Sequence, residues 1–138
     1  MINDIKVKEV MTRGVISIPE ESLVKDAVEI LADSYVSALV VTSKDGELRA
    51  VLSEVDIIRI YDQDLSLIKV KEVMSAPVIT IDKEEGLDVA CRLMKEKNIH
   101  RLIVKQDILY QETNEIKHYP CGILSTSDII HTLASLYS

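Results

Sequence analysis

The heptamer IKVKEVM stands at Ile5–Met11 and again, letter for letter, at Ile68–Met74. Chance does not produce this in a chain of 138 residues. The heptamer therefore marks an internal repeat, and a repeat decides how the rest of the chain is read. With the offset of 63 residues held, VISIPEES (Val15–Ser22) lies over VITIDKEE (Val78–Glu85), Ala27 over Ala90, Leu39 over Leu102 and Val41 over Val104. The offset then becomes 72, where VLSEVDII (Val51–Ile58) meets ILSTSDII (Ile123–Ile130). The second copy thus carries nine extra residues within QDILYQETNEIKHYPCG (Gln106–Gly122). The chain reads as two copies of one unit, residues 1–66 and 67–138, that together make one module.

Each copy has the same pattern of elements. VISI is a short strand, and Ser22 is placed to cap the helix that follows. Leu23, Ala27, Ile30 and Leu31 recur at i, i+4, i+7 and i+8, one face of an amphipathic helix, and Leu87, Cys91 and Met94 repeat that face in the second copy. SALVVTS and RLIVKQ read as buried strands. Asp45-Gly46 marks a hairpin turn that returns the chain into LRAVLS. Further helices begin after Ser53 and Ser125. The fold class is mixed α/β (α+β), a tandem of β-α-β-β-α repeats. One such unit is too small to bury its own apolar faces, and two packed sheet to sheet would complete a shared core. In the second copy the hairpin at 106–122 is longer, with ILYQ and IKHY as arms, ETNE as the tip and Pro120 at the re-entry into the sheet. Its first reading is a solvated decoration, with a partner-binding arm as the alternative.

Composition narrows the function. With 47% hydrophobic residues but five Tyr, no Phe and no Trp, the core has to be aliphatic. The balance of 23 acidic against 16 basic residues, a net charge of −7, argues against a nucleic-acid or anionic-membrane surface, which needs clustered positive charge. It leaves room for a small anion held by a few local cations. No segment approaches the roughly 18 apolar residues of a membrane span, and the N-terminal residues lack the apolar run of a secretory signal, so a cytoplasmic location is expected. Cys91 and Cys121 are isolated, and the three histidines have no metal-ligand spacing.

The most informative chemistry is the repeated S-x-x-D, Ser53-Glu54-Val55-Asp56 and Ser125-Thr126-Ser127-Asp128. Each joins a strand to a helix. As a capping box it needs no ligand, since the serine accepts from the first-turn backbone and the acid suits the helix dipole. The same position also suits a nucleotide, because a helix N-terminus attracts phosphate and a carboxylate accepts from ribose hydroxyls. His100-Arg101 is the second feature, since arginine offers a fork for phosphate oxygens. Its counterpart at position 38 is alanine. No G-x-S-x-G, P-loop or H-E-x-x-H sequence is present, four glycines cannot build a phosphate-cradling loop, and an enzyme is not expected.

These elements in order, VKEVMT and VKEVMS, VISI and VITI, YVSALVV and NIHRLIV, AVLSEVDII and GILSTSDII, closely resemble the cystathionine-β-synthase (CBS) domain family over nearly the whole chain. The resemblance implies a pseudo-twofold pair of repeats, a Bateman module, whose clefts bind AMP, ADP, ATP or S-adenosylmethionine. It further implies a stand-alone regulatory sensor that needs no resident cofactor, forms a homodimer and acts on a partner protein whose identity is unknown. By the same resemblance, the main cleft is expected to consist of Thr12, Ile16, Val36, Ser37, Arg101, Ile123, Ser125, Ser127 and Asp128. The second is expected to consist of Ser53, Asp56, Ser75, Ile79, Ile99 and His100. The two Asp residues would take ribose hydroxyls, the apolar residues would flank adenine, and His100 and Arg101 would meet phosphate. The chain departs from the family where Ala50 stands for the usual Gly and where VVTS and IVKQ replace the usual strand ending. Gly122 in the second copy suggests close approach of a ligand, and Glu54 puts a negative charge into the first copy's element, so Asp128 is expected to mark the tighter site. A ligand-free interaction module using the 106–122 arm is the competing function.

Overall fold

The computed structural model describes residues 1–76 and 78–138, and its elements form two compact units. One unit is the continuous stretch Ile16–Val78; the other joins Met1–Val15 to Ile79–Ser138. Packing therefore divides the chain differently from the sequence repeat, because each arm that carries the heptamer belongs to the unit built mainly from the other copy.

In the continuous unit, β2 (Ser17–Pro19) runs parallel to β3 (Ala38–Thr42), which turns antiparallel into β4 (Leu48–Ser53). The turn closes where Ser43 N donates to Glu47 O and Gly46 takes φ +87°, a value that Gly tolerates without a Cβ penalty. Leu39, Val41, Ala50 and Leu52 alternate along β3 and β4 onto one buried face. Val24, Ala27 and Leu31, spaced for one helical stripe, bring α2 (Val24–Ser34) down on the core. A short α3 (Glu54–Ile58) follows β4 directly. The expectation that Ser22 caps α2 is corrected here. The cap position is Leu23, with no side-chain hydrogen bond. The first-turn donors are satisfied by backbone instead, Val24 N to Ile68 O at 2.8 Å and Lys25 N to Leu65 O at 3.1 Å, so a capping hydroxyl has nothing left to do.

The other unit holds a four-stranded sheet in the order β1 (Thr12–Arg13), β7 (Glu115–Ser125), β6 (Arg101–Tyr110), β5 (Thr80–Asp82). β5 is parallel to β6, and the other pairs are antiparallel. Its core joins Ile81, Leu102, Val104 and Leu124 to Leu87, Ala90 and Met94 of α4 (Leu87–Lys97) and to Ile129 of α5 (Thr126–Leu136). The long hairpin turns at Gln111–Asn114, one residue earlier than the expected tip, because Asn114 adopts the left-handed φ of +58° that lets Tyr110 pair with Glu115. Pro120 sits beside a bulge. Gly122 faces Val104 and Pro120 faces Lys105, which leaves Cys121 as the extra residue. No helix among the described residues is long and apolar enough to cross a membrane.

The repeated heptamer has one job done twice. In each arm the short helical turn, α1 (Val7–Val10) or the 3₁₀ turn Val70–Glu72, drives a valine to 0% exposure: Val7 in one core, Val70 in the other. Val7 N donates to Glu85 O, and Lys8 N to Lys83 O; in the other unit Val70 N donates to Ser22 O, and Lys71 N to Glu20 O. Lys6 and Lys8 close on Glu84 at 2.9 and 2.8 Å, and Lys69 and Lys71 close on Glu21 at 2.9 and 2.7 Å. Each copy's heptamer thus packs against the strand–helix entry of the other copy, and its valine and two lysines make the same contacts at both places.

Candidate functional site

Both S-x-x-D elements form the same capping box. The amide of Asp56 donates to Ser53 Oγ at 3.3 Å, and Asp56 Oδ2 accepts from Ser53 N at 2.9 Å; the Ser125–Asp128 pair repeats these contacts at the same distances. The helix-cap reading of the motif therefore holds in both units. The next amide in each element is also taken by its own unit, Glu54 N by Ser37 O at 3.1 Å and Thr126 N by His100 O at 3.0 Å.

The unit of Asp128 holds Ser125 and Ser127 of the same element, Ile123 of β7 and Thr12, which pairs with Ile123 in the ladder; His100, expected with Asp56, meets this element through its carbonyl, as Ser37, expected with Asp128, meets the element of Asp56. Arg101 opens β6 directly opposite Ser125. The unit of Asp56 holds Ser53 and Ser75, whose backbone bridges to Val51. Ala38 stands opposite Ser53, so this unit has no cation at that ladder position. Ile16 and Val36 belong to the unit of Asp56, and Ile79 and Ile99 to that of Asp128. Ile16 and Ile79 occupy equivalent places and are 40% and 39% exposed, each an apolar surface that the core does not use. Ile99 also lines an apolar hollow of about 270 Å³ with Cys91, Met94, Lys95, Thr126, Ile129 and Ile130.

One expectation about this site needs correction. Gly122 does not leave room for a ligand. A Cβ at this position would come within 2.6 Å of Thr12 O and 2.7 Å of Met11 Sδ, so the space is filled by the N-terminal arm. Sequence reading also missed one side chain beside an acid, Arg59, whose guanidinium lies 3.6 Å from Asp56 Oδ1. The signal was available, since Arg59 lies three residues after the acid, one helical turn on. Among the described residues no group of His, Cys, Asp and Glu is arranged to hold a metal ion.

The architecture and the duplicated cap define a class. The CBS domain family matches residues 7–63 and again residues 70–135, and the chain belongs to that family as a tandem pair of CBS repeats. An uncharacterized protein of Methanocaldococcus jannaschii is 31% identical over 136 residues; the match takes in 99% of this chain but 42% of that protein, so the chain spans less than half the length of that relative. Among solved structures, CBSX2 in complex with AMP is similar with a TM-score of 0.72 at 20% identity, covering 96% of this chain and 98% of that one. The CBS domain pair of protein MJ0100, in complex with 5′-methylthioadenosine and S-adenosyl-L-methionine, is similar with a TM-score of 0.69 at 21% identity, covering 95% and 97%. At these identities the likeness shows the fold.

Proposed function

We propose that this chain is a regulatory module that binds an adenine nucleotide, AMP, ADP or ATP, and passes the binding event to a partner protein. The observation that carries the reading is the Asp128 element, where a carboxylate with one oxygen outside the cap stands at a helix start, three residues after the Ser125 that faces Arg101 across the β6–β7 ladder. A carboxylate there suits ribose hydroxyls, and the adjoining cation suits phosphate in a protein that is otherwise acidic. Ser125, Ser127 and Thr12, all of the same unit, add hydroxyls. The ligands named for the similar CBSX2 and MJ0100 structures, AMP and S-adenosyl-L-methionine, belong to the same adenosine class.

Calorimetry with AMP, ADP, ATP and S-adenosylmethionine tests the reading. Saturable heat with one of the three nucleotides supports it. Binding of S-adenosylmethionine alone would replace the ligand while keeping the site, and silence with all four, with no thermal shift, would refute it. The module acts by binding and not by turnover, so each nucleotide is expected back unchanged after long incubation. We also propose a homodimer through the apolar faces that α3 and α5 expose, Val55 and Ile58 on one and Ile130 on the other. Light scattering that returns a monomer mass at micromolar concentration would refute the dimer.

A further inference from the structure

The two acids share one cap and differ in what reaches the rest of the carboxylate. Asp56 is 6% exposed, and both its oxygens are engaged. Oδ2 takes the Ser53 amide, and Oδ1 takes the Ser75 hydroxyl at 2.9 Å. The guanidinium of Arg59, itself 72% exposed, lies 3.6 Å from the same Oδ1. Ser75 is held for this contact by two backbone bonds to Val51, at 2.8 and 3.1 Å.

The equivalent positions in the other unit do something else. Thr12 corresponds to Ser75 and pairs with Ile123 as Ser75 does with Val51, yet its hydroxyl makes no hydrogen bond to Asp128. His131 corresponds to Arg59, and its Nδ1 donates to the carbonyl of Ser127 at 2.8 Å instead of facing the acid. Among the described residues Oδ1 of Asp128 receives no hydrogen bond, and Asp128 is half-buried. A vicinal diol reaching Asp56 has to displace a hydroxyl and a guanidinium already in place. At Asp128 it meets an oxygen with unused lone pairs.

We propose that Ser75, assisted by Arg59, closes the Asp56 element from within its own unit, so that each chain takes one adenosine-type ligand, at Asp128, and Asp56 serves as a structural cap. Ser75 is then the residue that sets the number of ligands bound. This deepens the nucleotide reading above and rests on it for its ligand; the closure of Asp56 is a statement about the free protein.

The test combines ligand counting with a measurement that needs no ligand. The wild-type chain, Asp56→Asn, Asp128→Asn and Ser75→Ala/Arg59→Ala are titrated with AMP and ATP by calorimetry, and each is melted without ligand. The wild type is expected to bind a single nucleotide per chain. Asp128→Asn should weaken that event by about tenfold or more, since a charged acceptor is lost. Asp56→Asn should leave it within about twofold, as for an independent site. The double variant should gain a second event. Without ligand, Asp56→Asn should lower the melting temperature by more than Asp128→Asn does, because it loses a hydroxyl and a guanidinium contact in addition to the cap. Two equivalent events in the wild type, or loss of binding in a folded Asp56→Asn chain, would overturn the proposal. If no nucleotide binds any variant, the nucleotide reading falls, and the melting pair still decides closure, with equal losses counting against it.

Discussion

Gly122→Ala puts a single methyl group where two segments of backbone meet. Its Cβ would sit 2.6 Å from Thr12 O and 2.7 Å from Met11 Sδ, against the 3.4–4 Å of ordinary contact. The methionine can swing away, but the carbonyl cannot move without β1. Restoring contact distance means that β1 retreats by roughly 0.8 Å, which loosens the Thr12–Ile123 and Arg13–Gly122 pairs and the Gly14 N to Cys121 O bond at 3.0 Å. Overpacking of this kind costs about 1–3 kcal/mol. For a chain of this size that lowers the melting temperature by roughly 3–10 °C. Because Gly122 does not adopt a positive φ, none of this effect comes from glycine's conformational freedom. The assay is thermal or urea unfolding, with Ala50→Ser as the control at the equivalent position of the other unit, where the buried Ala50 already carries a Cβ. Both variants should also be titrated with nucleotide, since a displaced β1 carries Thr12 away from the Asp128 element and should weaken binding. An unchanged melting temperature, within about 1 °C, together with unchanged affinity would show that β1 yields freely and that Gly122 is not there for close approach.

Arg101→Ala should weaken ATP by about tenfold or more while leaving adenosine nearly unaffected, because a charge-assisted contact to phosphate contributes about 1.5–3 kcal/mol; equal losses for both in calorimetry would assign Arg101 to folding instead. Glu21, held by hydrogen bonds from Lys71 and Lys69, and Glu84, held by Lys8 and Lys6, are both lowered from 4.5 to about 2. A depressed folded-state value means their contribution is present above about pH 4.5 and is lost as pH falls toward 2, so Glu21→Gln/Glu84→Gln should flatten acid unfolding in that window. Both pairs are solvent-exposed, so added salt should shrink the difference between variant and wild type. Tyr35 ends α2 fully exposed at φ +57°, so Tyr35→Gly should stabilise the chain by roughly 0.5–1 kcal/mol in urea unfolding, and a loss of stability would show that the ring makes an unseen contact.

What the sequence alone determined was local or periodic. The duplication, the strand and helix stripes, the Asp-Gly turn and both serine–aspartate caps depend on residues within a few positions of one another, and spacing carries that information. The caps formed as read, with the same distances in both copies. Ser22 failed as a cap because the helix donors it was meant to satisfy were taken by carbonyls of Leu65 and Ile68, more than 40 residues on in the chain. The tertiary structure decided which arm serves which unit. Lys8 meets Glu84 across 76 residues and Lys69 meets Glu21 across 48, and identical heptamers carry no mark of which seat they will fill. It also separated the two acids. Ser75 reaches Asp56 across 19 residues, and its counterpart Thr12 makes no such contact with Asp128. That difference rests on side-chain position at the end of a paired strand, and linear spacing does not encode it.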